Sequence, residues 1–495
     1  MKHQDLIPSQ KIVHILETAK GVTVKEAEAI IQKAEGLKGL TPEETAILLN
    51  CDDKGLIESL YVAAKKVKES IYGNRLVLFA PLYLTNTCVN NCLYCGFRMA
   101  NKTLERKALT EKEIRSETET LIRDGHKRAL VVAGEDPKQS SIDYLEGAID
   151  IIYSARVDSG EIRRVNINVA PMAIREFKRL KSAGIGTYQL FQETYHLPTY
   201  KRVHPAGPKS NYANRLTALD RAMEAGIDDV GMGVLFGLYD YRFEALALLY
   251  HAMYLERKFG VGPHTISVPR IEPATNAPLS INPPHALSDE DFMKLVAILR
   301  LAIPYTGIIL STRESAVLRD RLFHIGVSQI SASSRTYPGG YAKENENTSP
   351  LNPLPQGEGK QQLYHPPSMV GGEGERLFSE KGQFAIGDWR TTQEVIKDIS
   401  RDGFSPSFCT ACYRVGRTGK EFMNHAKPGE IQRFCLPNSI LSFKEYLLDY
   451  GGEELRKTGE VLIQKQTASI EDITLRKATL KKLEEIEEGR RDLYF

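Results

Sequence analysis

The sequence predicts an α/β fold: a closed (βα)8 barrel of the TIM type, preceded by a helical segment and followed by a mostly helical C-terminal region. Three observations carry this expectation. Between residues 76 and 335, apolar runs of strand length alternate with helical patterns. Eight such runs can be counted, the number that closes a barrel. The turn after the first run holds three cysteines, where a doubly wound nucleotide-binding sheet would need a glycine-rich phosphate loop.

Residues 1–75 read as helices. Thr41-Pro42-x-Glu44 supplies an N-cap, a proline at the first helical position and a reciprocal glutamate. This segment is expected to cover one end of the barrel, which spans 76–342. The strand candidates are 76–84, 128–134, 165–170, 187–193, 229–236, 264–271, 306–311 and 327–332. Thr110-x-x-Glu113 opens a helix carrying Ile114, Leu121 and Ile122, and Gly125 stops it. Pro171 opens another, with Ile174, Phe177 and Leu180 at helical spacing and Gly184 at its end; Gly226 and Gly326 end two more. Residues 343–383 lose all periodicity and are rich in Pro, Gly, Asn and Glu, so they read as a flexible insertion. From 384 to 495 a further domain is expected. Thr391-x-x-Glu394 caps a helix with Val395, Ile396 and Ile399 that Gly403 ends, and the charged tail beyond Asn438 reads as an outer helical layer.

The chain has 495 residues and a formal charge of +2, which gives no reason to expect nucleic acid or an anionic membrane as partner. No apolar stretch is long enough to span a bilayer, and the start MKHQDLIPSQ has no signal-peptide core, so a cytoplasmic location is expected. Six of the seven cysteines fall into two tight clusters, which favours metal over disulfide in a reducing compartment. Cys51 stands alone and reads as a small core residue.

The first cluster is Cys88, Cys92 and Cys95 in TCVNNCLYCGFR, with Tyr94 inside it. Three thiolates on a loop directly after a strand can hold three irons of a [4Fe–4S] cluster and leave the fourth open to a non-protein ligand. A bacterial ferredoxin run closes every iron with a thiolate, and a structural zinc site wants four protein ligands. The second cluster is Cys409, Cys412 and Cys435. Its spacing leaves two readings open: a zinc knuckle with nearby His425 as fourth ligand, or a second iron–sulfur cluster with one open iron.

Cys-x3-Cys-x-Tyr-Cys after a first strand resembles the radical S-adenosylmethionine (SAM) superfamily. That resemblance implies that SAM chelates the open iron and is split to methionine and a 5′-deoxyadenosyl radical. Barrel active sites lie at the C-terminal strand ends, and the candidates there are read in turn. Gly134-Glu135 follows the second strand: the glycine lets backbone approach a ligand, and the carboxylate can pair with the SAM ammonium. Asn168 ends the third strand. Glu193 ends the fourth and is positioned for the SAM ribose, and Arg215 in the next helix for the SAM carboxylate. Arg270 and Arg313 follow strands six and seven and can clamp a substrate carboxylate, and Ser331 ends strand eight. Together they suggest an amino-acid substrate.

FCTACYRVGRTG, with FQETYH, HTISVPRIEP, LSTRES and SRT…GGY on the same barrel, is similar to the HydG family, the tyrosine lyases of [FeFe]-hydrogenase maturation. The resemblance covers roughly 40–440. It decides for a second, auxiliary [4Fe–4S] cluster. It implies cleavage of the L-tyrosine Cα–Cβ bond to p-cresol and dehydroglycine, with Glu135 and Arg313 as catalytic candidates. Dehydroglycine then yields carbon monoxide and cyanide on an extra iron at the auxiliary cluster, with His264 as its protein ligand. A ferredoxin or flavodoxin electron donor, hydrogenase-maturation scaffold proteins as partners, and an anaerobic setting are implied with it. The sister family of 2-iminoacetate synthases (ThiH) shares the barrel motifs without the auxiliary triad and is the alternative.

Overall fold

The computed structural model describes residues 6–342 and 381–495. Most of the insertion expected at 343–383 therefore lies outside the described residues; its last three, Lys381–Gln383, lie within them.

Eight parallel strands close into a barrel: β1 (Arg75–Thr85), β2 (Arg128–Ala133), β3 (Arg164–Asn168), β4 (Thr187–Glu193), β5 (Asp229–Val234), β6 (Thr265–Ser267), β7 (Gly307–Leu310) and β8 (Gln329–Ser331). Each pairs with the next, and β8 pairs back to β1 through Val77 with Gln329 and Phe79 with Ser331. Every expected strand is present. The expected helix stops at Gly125, Gly184, Gly226 and Gly403 form, each at positive φ, whereas the helix expected to end at Gly326 ends earlier, at Phe323, with His324 as its C-cap. The helix expected from Pro171 begins instead at Ile174, where the Glu176 carboxylate accepts the Ala173 N–H at 2.8 Å. The capping boxes at Thr41, Thr110 and Thr391 all form.

A ninth strand had no sequence signal. β9 (Ser405–Ser407) runs parallel to β1, pairing Arg75 with Ser405 and Val77 with Ser407. Val77 also pairs with Gln329 of β8, so β9 must occupy the other edge of β1. That is the edge β2 uses, but β2 starts only at Ala80. The C-terminal region thus joins the barrel sheet at its N-terminal rim. Pro406 is tolerated because β9 is an edge strand.

The N-terminal helices pack on the outside of the barrel. Helix Lys54–Tyr72 lies against helix Asp289–Ala302, and Ser9–Thr18 and Pro42–Leu49 lie against Tyr241–Phe259. Cys51 sits partly buried at the edge of the main core, as expected. Among the described residues no helix is long and apolar enough to cross a membrane.

The barrel interior departs from the branched apolar layers usual in this fold. Glycines on β5 and β7 make room for a buried amide at Gln189 and a half-buried one at Gln329: a Cβ at Gly231 would come within 2.7 Å of Gln189 Cγ, and one at Gly307 within 2.5 Å of Gln329 Nε2.

The return of the chain after the insertion is pinned by a fully buried pair, Arg319 with Asp388; Arg319 Nη2 also donates to the Ser331 carbonyl at 2.6 Å. Asp388 also holds Arg390 at 2.8 Å, so it is removal of Asp388 that leaves a fully buried charge, Arg319, without its acid. Asp388→Leu is expected to cost about 3–5 kcal/mol in urea unfolding; a loss under about 1 kcal/mol, the scale of an exposed pair, would show that water screens the site.

Candidate active site

The C-terminal mouth holds a cavity of 210 Å³. Cys88, Cys92, Cys95, Tyr94, Gly134, Glu135, Asn168, Glu193, Arg215, Arg313 and Ser331 all line it. Eleven residues singled out along the sequence therefore meet in one place.

The cysteine loop is held from several sides. Val89 N–H donates to the Glu135 carbonyl (2.8 Å), Asn91 N–H to Ala206 (3.1 Å) and Leu93 N–H to Val203 (3.0 Å). Arg106 gathers the carbonyls of Asn86, Phe97, Arg98 and Asn101 within 3.1 Å. Gly134 is needed for this packing: a Cβ there would lie 2.2 Å from the Thr87 carbonyl oxygen. The glycine thus serves the approach of the cysteine loop, where ligand approach was expected.

Burial pushes the Cys92 thiol up to about 12 and raises Cys95. Buried thiols of this kind give up their protons to a metal, so binding and deprotonation are coupled. The donor set at the mouth, three thiols with no fourth protein ligand among the described residues, fits a [4Fe–4S] cluster with one open iron.

Around the triad the acids are held by neighbours that the sequence did not single out. Asn90 donates through Nδ2 to Glu135 Oε2 at 2.6 Å and points the same nitrogen at Cys88 Sγ, 3.7 Å away. Glu193 accepts from Lys209 Nζ (2.5 Å) and Arg215 Nη2 (3.3 Å). Burial alone would raise its pKa; Lys209 and then Arg215 outweigh that and hold it below the usual carboxylate value. A register shift between Phe191 and Glu193 and a positive φ of 71° at Glu193 turn this side chain out of the strand alternation. Left-handed backbone costs a non-glycine residue about 1–2 kcal/mol. The Tyr94 hydroxyl is 2.7 Å from His204 Nε2; His204 Nδ1 is 2.9 Å from the Tyr200 carbonyl, so Nδ1 carries the proton and Nε2 accepts from Tyr94.

The two expected arginines separate. Arg313 gives one N–H to the Arg270 carbonyl (3.3 Å), lies over Phe384 with Cζ 3.3 Å from the ring centroid, and among the described residues forms no ion pair. It keeps donors for a carboxylate. Arg270, expected beside it, does not line the cavity: its guanidinium is taken by Glu314, Asp289 (2.8 Å) and the Leu287 carbonyl (2.9 Å).

At the opposite mouth a smaller cavity of 50 Å³ collects Cys409, Cys412, Cys435 and His264. β9 delivers the first two and helix Gln432–Tyr450 the third. Burial pushes Cys412 up to about 12 and raises Cys409. Three arginines attend them: Arg75 beside Cys435, Arg128 Nε on the Cys409 carbonyl (3.2 Å) and Arg417 Nη1 3.9 Å from Cys412 Sγ. Burial lowers the His264 pKa, which keeps the imidazole neutral. Its Nδ1 is buried without a hydrogen-bond partner among the described residues, with Asp229 at 3.6 Å. A neutral ring with an unpartnered nitrogen beside three thiols fits a metal ligand. His425 is elsewhere, a third exposed and 3.7 Å from Glu430, and does not serve as a fourth ligand.

Residues 82–250 match the Radical SAM superfamily, and 267–405 the Biotin and Thiamin Synthesis associated domain. The chain is 32% identical to 2-iminoacetate synthase of Escherichia coli (strain K12) over 326 residues, 66% of this chain and 84% of that protein. Among solved structures, HydG, "a maturase of the [FeFe]-hydrogenase", aligns over 99% of this chain and 100% of its own, with 51% identity and a TM-score of 0.90. The chain belongs to the HydG family. A second HydG, from Carboxydothermus hydrogenoformans, agrees at 40% identity, a TM-score of 0.80 and 98% and 99% coverage. Full-length coverage extends the HydG match across the auxiliary region.

Two outcomes are expected. Gly134→Ala should displace the Thr87 carbonyl and empty the first triad, so that iron analysis after reconstitution finds only the share held by the second; full iron content would show that the loop yields. Arg313→Ala should weaken substrate binding by about 2–3 kcal/mol, the worth of a charge-assisted pair, read as a raised KM for tyrosine with SAM binding unchanged.

Proposed function

We propose that this HydG-family protein is a radical SAM lyase. It would cleave L-tyrosine to p-cresol and dehydroglycine at the C-terminal mouth, and convert dehydroglycine to carbon monoxide and cyanide at the other mouth, for assembly of the [FeFe]-hydrogenase active site. The observation that carries this reading is the pair of thiol triads at opposite ends of one barrel, the second beside His264, whose Nδ1 is buried without a hydrogen-bond partner among the described residues.

Cys88, Cys92 and Cys95 would hold one cluster, and Cys409, Cys412 and Cys435 the other. With SAM bound, the first cluster supplies the electron that generates the hydrogen-abstracting 5′-deoxyadenosyl radical. The chain's own residues do the rest. Glu135, held by Asn90, takes the SAM ammonium, and Glu193 faces its ribose while Lys209 and Arg215 keep it ionised. Arg313, stiffened by Phe384, takes the tyrosine carboxylate and fixes its amino group toward the radical source. Tyr83, Phe97 and Leu235 in the cavity wall exclude water, which limits side reactions. Gln189 at the first cavity and Gln329 at the second, each seated against a glycine, put amides on the route a small polar product would take between the two mouths. At the far end Arg75, Arg128 and Arg417 offset thiolate charge, and His264 would hold the cargo iron.

A 2-iminoacetate synthase would use the first site alone. The readings part on one experiment, in which p-cresol and carbon monoxide are quantified from the same anaerobic reaction with SAM, dithionite and tyrosine. Cys409→Ser with Cys412→Ser should keep p-cresol and reduce carbon monoxide to background. His264→Ala should lower carbon monoxide without lowering p-cresol. Wild-type carbon monoxide from the double variant would return the second triad to a structural role.

A further inference from the structure

Gln383 lines the barrel mouth, the first side chain to do so among the described residues that follow the insertion, and sequence patterning placed it in the insertion. It is instead tied down at every polar atom. Its backbone N–H donates to the Thr336 carbonyl (3.0 Å), and its carbonyl accepts from Gly96 N–H (3.0 Å), the residue after Cys95. The fit is close: a Cβ at Gly96 would come within 2.6 Å of the Gly382 oxygen and 3.1 Å of the Gln383 oxygen. The side-chain Oε1 accepts from the Tyr83 hydroxyl at 2.8 Å, and Nε2 points at Cys95 Sγ, 3.7 Å away.

We infer that Gln383 is a positioning residue whose amide donates a hydrogen bond to the Cys95 thiolate and so sets the reduction potential of the first cluster; this rests on the reading that Cys88, Cys92 and Cys95 hold one. The orientation of the amide follows from electrostatics. A thiolate repels an oxygen lone pair and attracts an N–H, and the Tyr83 hydroxyl donates to Oε1 at 2.8 Å, which leaves Nε2 to face the sulfur. Each sulfur of the triad then has its own surroundings. Cys88 faces the Asn90 amide, Cys95 faces the Gln383 amide, and Cys92 packs in an apolar group with Leu235, Leu238 and Ile271. Hydrogen bonds to cluster sulfurs are among the main levers on potential. Reduction adds a negative charge to the cluster, so an N–H dipole aimed at sulfur stabilises the reduced state more than the oxidised one. Losing it moves the midpoint to a more negative value.

The test is an EPR-monitored redox titration of full-length protein reconstituted with iron and sulfide, the first cluster's signal being recognised by its response to SAM. Gln383→Leu removes the donor at similar size, and Gln383→Glu keeps the acceptor for Tyr83 while setting a carboxylate against the sulfur. Ile386→Val disturbs the same segment at a buried side chain that does not line the cavity. The midpoint is expected to fall in Gln383→Leu, fall further in Gln383→Glu and stay at the wild-type value in Ile386→Val, with iron content equal in all. Unchanged midpoints in both Gln383 variants, or an equal shift in Ile386→Val, would overturn the inference and leave Gln383 a purely structural anchor. If Gln383→Leu fails to hold the cluster, Gln383→Glu decides by itself. A wild-type protein with no SAM-responsive signal would refute the cluster assignment, a different failure from equal midpoints.

Discussion

A strand has two edges, and β1 serves three neighbours with them. β8 takes one edge; β2 and β9 share the other, β2 toward the C-terminal end and β9 toward the N-terminal end. This is open to β1 because it is eleven residues long, on the order of 33 Å at about 3.3 Å per residue. Its C-terminal end launches the loop of Cys88, Cys92 and Cys95. Its N-terminal end holds the strand that delivers Cys409 and Cys412. Both proposed sites are therefore mounted on one rigid element, and their separation is a property of that strand.

Around this axis the charges are arranged differently at the two ends. At the C-terminal mouth the acids and bases already satisfy one another: Glu193 has Lys209 and Arg215, and Glu135 has Asn90. Arg313 is held by stacking and forms no close ion pair among the described residues, with Glu272, Glu193 and Glu314 acting on it only at longer range. At the N-terminal mouth the basic groups surround thiols. Each pattern suits its proposed guest, a zwitterionic amino acid at one end and a thiolate-bound cluster at the other. The fully buried Lys68 beyond the second mouth, whose Nζ rests 4.7 Å from the centre of the Phe404 ring, belongs to neither pattern; burial brings its pKa down to about 7.

How much of this was legible in the sequence depended on the range of the interaction. Capping boxes at Thr41, Thr110 and Thr391 were readable because donor and acceptor lie three residues apart. The eight barrel strands were readable because burial on both faces leaves continuous apolar runs. β9 was not, because Ser405-Pro406-Ser407 has no apolar run and is a strand only through its pairing with β1. The cavity residues were found from their places at strand ends, but partnerships across elements were hidden. Arg270 and Arg313 occupy equivalent positions in the chain pattern, and only Glu314 and Asp289, reached by Arg270, tell them apart. Asn90 lies between two cysteines of the first motif, Lys209 in the short 3-10 turn Pro208–Ser210 and Gln383 at the end of the insertion, and nothing local pointed to their contacts with Cys88, Glu193 and Cys95, which cross between elements.

The pairing of β9 with β1 also bears on how the molecule is made. Contacts near in sequence form early, and contacts that join distant parts of a chain wait for loop closure. The three thiols at the C-terminal mouth lie on one short loop and are neighbours as soon as that loop exists. Those at the N-terminal mouth lie on two elements, the turn after β9 and helix Gln432–Tyr450, which pack directly on each other. What waits for loop closure is the seating of that pair on the barrel: β9 must find β1 from nearly opposite ends of the chain, so the second site takes its place beside His264 late in folding.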